Sequence, residues 1–453
     1  MPKVTVIMPS LNVVKYIASC MDSVLAQTLQ DIEILAIDAG SDDGTFEILQ
    51  KYAALDTRIK VIQSCKKSYG YQLNMGIALA RGEYVGIVET DDKVEPDMFQ
   101  TLYESAIKTE ADYVKGCARP FMEVAPEIIV SFRDRCTSLA EVLGRAINPQ
   151  KYPGLFVTDR FLWLGIYRKD FIKKVKLNET QGAAFQDIGF MFQVISSADK
   201  AVYLDKDVYF YRQDNIASSS YNVRGFRYLV EEYAYVKKFL QGKGKEWYQA
   251  YYRKLLDQCV GRFLVMAESG SIWEEAVSDM EILREELRQA MESGFIVPEV
   301  LDEGARERFR LLMKGTADIY GYYVEELQNK KALIRNLLDT VNHYPVVIFG
   351  CGAIGKYAHA LLEKWDSGVP MAYCDNNVEL WNARIQGITV CSPEKAVCYY
   401  PDAVYVVTGR KNAKAMQQQL KGLGVKDSRI CVFQEGIDMM MLRGNDYADR
   451  KID

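Results

Sequence analysis

Histidine is almost absent from this chain: His343 and His359 are the only two among 453 residues. The ten cysteines include no CxxC pair and have no histidine partner at metal spacing. This excludes a structural zinc site of the usual kind, and free, mostly buried thiols are expected. Long apolar runs are missing too. No stretch approaches the roughly 18 to 20 uninterrupted apolar residues that cross a bilayer, and Met1 leads into a short alternating segment rather than a basic region and an apolar signal core. The expectation is a cytoplasmic protein, with peripheral contact at the inner face of a membrane left open. Excess positive charge is also lacking. A formal net charge of −5 gives no general attraction for nucleic acid, so basic chemistry must come from local patches. What is present is the balance of an ordinary globular protein, 49% hydrophobic and 26% charged, long enough for roughly three domains.

The first hundred residues alternate short β-rich runs with longer helical patterns, which predicts an α/β fold with a doubly wound parallel sheet. Strands are expected at 4–8, 32–37, 59–62 and 84–88. Helices are expected at 45–54, at 73–80 and after Asn12, where Val14, Ile17, Ala18, Met21, Val24 and Leu25 share one face. Polar clusters follow three of the strands: Pro9-Ser10-Leu11-Asn12, Asp38-Ala39-Gly40-Ser41 and Glu89-Thr90-Asp91-Asp92. Ligands bind at the carboxyl ends of strands in open α/β sheets, so the three clusters are expected to converge on one crevice. Residues 225–340 turn to Glu, Lys, Arg, Leu and Tyr and read as a helical connector, with Trp247 to Tyr252 as packing surface. A second, smaller Rossmann-like α/β domain is expected over 341–441, and 442–453 form a polar tail. The first domain is placed at 1–224.

Asp91 and Asp92 stand side by side at a strand end, ahead of Lys93 and an expected helix start at Glu95-Pro96. Mg²⁺ and Mn²⁺ take oxygen ligands, commonly one or two protein carboxylates with phosphates and water completing the shell, so the pair suggests a metal–diphosphate site. A solvated turn whose acidic residues cap the next helix is the bland alternative. Asp38 and Pro9-Ser10 on the neighbouring strand ends favour the former.

With its opening Val6-Ile7-Met8-Pro9-Ser10-Leu11-Asn12, the segment Asp38 to Thr45, the series Asn74, Gly76, Ala80, Gly82, Glu83, Tyr84, and Glu89-Thr90-Asp91-Asp92, the chain resembles the family-2 glycosyltransferases of GT-A fold. The likeness continues more weakly to about residue 220. It implies an inverting, metal-dependent transferase whose donor is a nucleotide sugar, UDP-linked by expectation. The acceptor implied is a saccharide, polyol-phosphate or lipid-linked molecule of cell-surface polysaccharide or glycoconjugate synthesis. Pro9, Ser10, Asn12 and Asn74 would line the nucleoside side. Asp38 would bond the uracil, Asp91 would face the ribose beside the metal, and Asp92 would hold Mn²⁺ or Mg²⁺ against the diphosphate. Asp187, in Phe185-Gln186-Asp187-Ile188-Gly189-Phe190, corresponds to the general base, where helix capping is the alternative. Lys66, Lys67, Glu89, Trp163 and Arg212 are candidate diphosphate or acceptor contacts, and Ser218-Ser219-Ser220 resemble a closing loop. The sequence departs from the family at Glu89, Ala39, Leu73 and Gln186, where Asp, Asp, Arg and Glu are usual. Oligomeric state is left open, a homo-oligomer included.

Gly350-Cys351-Gly352-Ala353-Ile354-Gly355 follows a strand expected at 346–349, opens a helix, and precedes Asp375 at the end of a strand expected at 371–374. This is the context a dinucleotide fingerprint requires: close backbone approach to phosphate, a helix N-terminus facing the anion, and an acid for a ribose hydroxyl. A nucleotide, a dinucleotide or no ligand are the options. No acid–base pair follows, so a regulatory or structural module is preferred to an NAD-dependent oxidoreductase. A noncatalytic nucleotide-sugar sensor is the third reading of the whole chain; it would need Asp38 and Asp92 but not Asp187.

Overall fold

The computed structural model describes residues 1–124, 127–130, 136–159, 161–215, 224–269, 273–341, 344–364, 370–409 and 412–433. Ser218-Ser219-Ser220 and the tail 442–453 lie outside them. The chain divides into two compact units. The first is Met1–Arg119, Arg133–Arg212 and Ala217–Val324; the second is Pro120–Phe132, Gln213–Ile216 and Glu325–Asp453, each as far as described.

The first unit begins β1 (Val4–Ser10), α1 (Ile17–Leu25), β2 (Ile32–Asp38), α2 (Thr45–Leu55), β3 (Ile59–Gln63), α3 (Tyr69–Leu79) and β4 (Tyr84–Ile87). It continues with β5 (Lys93–Val94), α4 (Met98–Thr109) and the first part of β6 (Tyr113–Val124), whose remainder from Pro120 belongs to the second unit and pairs there with β7 (Glu127–Val130). Then come β8 (Ala146–Ile147), α5 (Gly154–Thr158), β9 (Gly165–Arg168), α6 (Lys169–Ile172), α7 (Gln186–Ser197) and β10 (Ala201–Arg212). The sheet order is β3-β2-β1-β4-β9-β6-β10-β5. Its first four strands are parallel, and β9 runs antiparallel to β4. β1 and β2 are buried along their whole length, so both faces must be apolar and the sequence shows continuous runs instead of alternation. The parallel register sets Ser10 opposite Asp38 at the carboxyl edge.

Three helix starts shift by several residues from the sequence reading, each for a local reason. α1 starts at Ile17, because Asn12 adopts a left-handed φ of 54° and the next two amides are held by the second loop: Val13 N–H donates to Thr45 Oγ1 and Val14 N–H to Asp43 Oδ2, both at 2.9 Å. α3 starts at Tyr69, because Ser68 Oγ caps it, accepting from Tyr71 N–H at 3.2 Å. The expected helix start at Glu95-Pro96 is a strand end: Lys93–Val94 pair with β10, Glu95 N–H donates to Val208 O at 2.9 Å, and α4 begins only at Met98.

α8 (Gly225–Leu240), α9 (Lys245–Ser269), α10 (Trp273–Glu292) and α11 (Glu303–Lys314) follow in the same unit, with the beginning of α12 (Thr316–Val341). One hydrophobic core runs from Val4 on β1 to Tyr323 on α12. Trp247 and Tyr251 are buried in it, Trp247 edge-to-face with Phe192 of α7. No helix among the described residues is long and apolar enough to cross a membrane.

The second unit contains β11 (Val346–Phe349), α13 (Ala353–Lys364), β12 (Ala372–Cys374), β13 (Arg384–Ile385), β14 (Ile388–Cys391), α14 (Pro393–Tyr399), β15 (Val404–Val407), α15 (Ala413–Gly422) and β16 (Ile430–Val432). Strand order is β13-β14-β12-β11-β15-β16, with only β13 antiparallel to its neighbour. The five parallel strands therefore have the 3-2-1-4-5 order of a doubly wound sheet. Val346 and Ile348 face one apolar layer, Val347 and Phe349 the other, so both faces are covered.

Candidate active site

The carboxyl ends of β1, β2 and β4 and the end of β10 carry most of the polar residues singled out in the sequence. Asp38 is fully buried. Its Oδ2 accepts from the N–H groups of Gly40 (2.8 Å) and Ser41 (3.0 Å), and its Oδ1 accepts from Ser41 Oγ at 2.5 Å. The turn it closes needs φ of +81° at Gly40 and +102° at Gly44, conformations that favour glycine. Asn12 lies on the facing loop, its Oδ1 accepting from Asp42 N–H at 3.0 Å. Pro9 offers its carbonyl to Thr90 Oγ1 at 2.9 Å, which ties the first cluster to the third. Ser10 is buried, and its Oγ has no hydrogen-bond partner among the described residues.

Asp92 is 1% exposed. Its Oδ1 accepts from the backbone N–H of Arg212 at 2.6 Å, and its Oδ2 has no hydrogen-bond partner among the described residues. Burial, then the neighbouring Asp91 carboxylate, push its pKa well above the ordinary range, against the Arg212 N–H and the nearby Tyr209 hydroxyl. Arg212, at the last position of β10, also donates Nε to the Asp91 carbonyl at 2.6 Å and lays its guanidinium over Tyr16, 4.6 Å from the ring centre. Half-buried Glu89 accepts from the Tyr69 hydroxyl, and burial raises its pKa to about 8 against that hydrogen bond, with Asp91 and Asp187 adding to the rise. Among the described residues no three His, Cys, Asp or Glu side chains converge to hold a metal by themselves.

Trp163 is stacked between Phe161 (4.5 Å) and Tyr209 (4.2 Å), with Tyr211 at 5.0 Å. The Tyr209 hydroxyl accepts from Glu89 N–H at 3.0 Å, so this aromatic wall and the acidic cluster share a residue. Asp187 stands in the first turn of α7, behind Phe185 at a left-handed φ of 73°. Burial raises its pKa; the ammonium of Lys254 on α9, backbone N–H groups of Asp187 and Ile188, and Lys115 oppose that rise. Its charge also acts on Glu89 and Tyr69.

Asn74 and Lys66 both bond to the 177–179 segment. The Asn74 side chain accepts from Leu177 N–H and donates to Leu177 O and Glu179 Oε1, each at 3.0 Å. Lys66 pairs with Glu179 at 3.0 Å and lies over Tyr71. Both therefore clamp the segment that leads into α7. Lys67 is exposed, and its Cε would lie 3.9 Å from a Cβ placed on Gly40, next to the Asp38 turn. Sequence reasoning missed Tyr69 and Tyr209, since tyrosines in a chain with 29 of them carry no spacing signal. It also missed Lys115, fully buried in an ion pair with Asp159, which accepts from Tyr203 OH at 2.9 Å.

In the second unit Gly350 has φ of +114°. A Cβ on Gly355 would sit 1.9 Å from Gly350 O, whereas one on Gly352 would meet nothing within 4 Å. Asp375 accepts from Cys351 N–H at 2.8 Å with one oxygen and from Asn377 N–H at 2.9 Å with the other. Its carboxylate thus closes onto the glycine loop.

Residues 5–165 match the model of the family described as glycosyl transferase family 2. The chain is 30% identical over 243 residues to the glycosyltransferase GlyG of Streptococcus pneumoniae, covering 51% of this chain and 78% of that protein. It is 32% identical over 222 residues to the uncharacterized glycosyltransferase EpsJ of Bacillus subtilis, covering 47% and 62%. Among solved structures it is similar to S. aureus TarS 1–349 in complex with UDP-GlcNAc, at a TM-score of 0.53, 16% identity, and coverage of 72% of this chain and 92% of that one. That likeness gives the fold, a GT-A-like α/β arrangement. By the family match across the parallel half of the first sheet and the identity to a relative most of whose length it spans, this chain belongs to glycosyltransferase family 2.

Proposed function

We propose that the first unit transfers a sugar from a UDP-sugar to an acceptor hydroxyl with inversion, assisted by Mn²⁺ or Mg²⁺. The observation that carries the reading is Asp92 Oδ2, a buried carboxylate oxygen without a partner among the described residues. Such an oxygen is costly unless a cation or a proton meets it. Asp91 is adjacent and no third ligand converges, which fits an ion whose remaining sites are filled by phosphate and water. Asp92 and Asp91 would hold it. When bound, the ion neutralises charge on the departing diphosphate. Asp38 presents the Ser41 turn to the nucleobase and, with three of about four lone-pair sites occupied, keeps one for a uracil N–H. Ser10 and Pro9 border the nucleoside, with Asn12 on the facing loop. Lys67 and Arg212 add positive charge at the two sides of the diphosphate.

Asp187 takes the proton from the attacking hydroxyl. A carboxylate with an elevated pKa is a better base than an exposed one, and the cations of Lys254 and Lys115 oppose the rise that burial imposes. Phe161 and Tyr211, half-buried beside Trp163, offer an apolar face for the acceptor, a saccharide, polyol-phosphate or lipid-linked molecule. Asn74 and Lys66 act on the donor only through the segment before α7. The UDP-GlcNAc bound by S. aureus TarS supports a UDP-linked donor. For the second unit the proposal is a regulatory or structural nucleotide-binding module at Gly350, Gly352, Gly355 and Asp375.

The test is UDP release from a panel of UDP-sugars by the purified protein, first with Mn²⁺ and then with chelator. Release that stops in chelator and is confined to one or two sugars supports the reading. Equal release in chelator overturns the metal, and no release or binding with any donor overturns the donor.

A further inference from the structure

Glu232 lies on α8, well outside the motifs, yet it is 1% exposed. Its Oε1 accepts from the backbone N–H of Gly189 at 2.9 Å, two residues after Asp187. Its Oε2 accepts from Asn178 Nδ2 at 3.1 Å. A Cβ on Gly189 would come within 2.3 Å of Oε1, so the contact exists only because that helical position lacks a side chain. Gly189 is the fourth residue of α7, so the carboxyl oxygen on its N–H lies near the positive end of the helix dipole. Here the carboxyl group comes from another helix, so it ties the start of α7 to α8. Tyr235, one turn further along α8, donates its hydroxyl to Lys176 O at 2.8 Å, and Gln193 of α7 donates to the same carbonyl at 2.7 Å. The segment that enters α7 is thus pinned from α8 and from α7 itself. α9 adds Lys254, 3% exposed, whose Nζ donates to Phe156 O at 2.7 Å and whose charge acts on Asp187.

We propose that Glu232 is a positioning residue for Asp187: by holding the first turn of α7 through Gly189 N–H, it sets where the Asp187 carboxylate stands in the crevice. The helices after residue 224 are then part of the transferase site. The inference rests on Asp187 as the base. A displacement of about 1 Å at a reacting group lowers rate by up to about 100-fold, which sets the expected effect.

The experiment measures kcat, donor KM and the number of UDP-binding sites on full-length Glu232→Leu, Glu232→Gln, Gly189→Ala and Asp187→Asn proteins. Leu removes both acceptors, and Ala at 189 displaces Oε1. Each is expected to lower kcat per UDP-binding site about 10- to 100-fold with donor KM within about two-fold. Gln keeps an acceptor for Gly189 N–H and is expected to restore kcat to within about three-fold of wild type. A role in stability alone would reduce the number of UDP-binding sites and leave kcat per site unchanged, and that result overturns the proposal. Wild-type kcat per site in both Glu232→Leu and Gly189→Ala overturns it as well. Should Asp187→Asn keep full kcat, the base assignment itself fails; an inactive Asp187→Asn beside a fully active Glu232→Leu sinks only the role of Glu232.

Discussion

Replacing Asp92 by Asn should strengthen the fold while removing donor binding. The Asn Oδ1 can still accept from Arg212 N–H, the 2.6 Å bond that ties β10 to this loop. What changes is Oδ2, a buried carboxylate oxygen with no hydrogen-bond partner among the described residues, in a group whose pKa is forced upward by burial and by Asp91. Without a cation, that arrangement costs roughly 1–3 kcal/mol, the penalty of an unsatisfied buried polar group. A neutral amide removes the charged part of it. Metal-free Asp92→Asn should therefore unfold at higher denaturant than wild type, by about 1–2 kcal/mol. Adding UDP and Mn²⁺ at about one hundred times Kd should stabilise wild type by about 2.7 kcal/mol and the variant by almost nothing. The assay is urea unfolding of both proteins, in chelator and in UDP with Mn²⁺. A variant less stable than wild type in chelator would refute the argument from burial. One that gains the full ligand stabilisation would refute Asp92 as the metal carboxylate.

Three further outcomes follow from packing and charge. Lys115→Met leaves Asp159, 0% exposed, as an uncompensated buried carboxylate, and should destabilise the protein by about 3–5 kcal/mol in urea unfolding; a loss below about 1 kcal/mol contradicts this. Burial raises Glu232 to about 8, so the folded state binds a proton there that the unfolded state has lost above about 4.5. Stability should therefore fall as pH rises from about 4.5 to 8, by on the order of 3–5 kcal/mol for this group, and Glu232→Gln should flatten the slope, read from denaturation midpoints across pH. In the second unit Gly355→Ala should destabilise by at least about 1–3 kcal/mol because its Cβ meets Gly350 O at 1.9 Å, whereas Gly352→Ala, with nothing within 4 Å, should change little. Differential scanning calorimetry separates the two, and equal behaviour would contradict the packing argument.

The parallel half of the first sheet was legible because its strands are buried on both faces and read as unbroken apolar runs such as Ile34 to Ile37. The polar clusters after Ser10, Asp38 and Glu89 marked its edge for the same reason: a parallel strand can carry polar side chains only where it leaves the core. Boundaries failed where a side chain from another loop decided them. Asp43 and Thr45 delay α1, Ser68 advances α3, and pairing with β10 keeps Lys93 to Glu95 extended. The acids stand out in the sequence as motifs, whereas the residues that pack around them do not. Asn74 reads as a donor ligand from its motif, yet its partners are Leu177 and Glu179, more than one hundred residues away. Tyr209 reaches Glu89, and Glu232 and Lys254 reach Gly189 and Phe156, only through tertiary packing, and nothing in their local sequence distinguishes them from core or surface residues.

The proposed transfer depends most directly on Asp187 and its separation from the donor site. With the UDP-sugar that the wild type turns over, Asp187→Asn should lower turnover about 10²- to 10⁴-fold while its affinity for UDP in Mn²⁺ stays within about two-fold of wild type, as expected for a lost general base. Turnover near that of wild type, or UDP affinity lost in step with turnover, would contradict it.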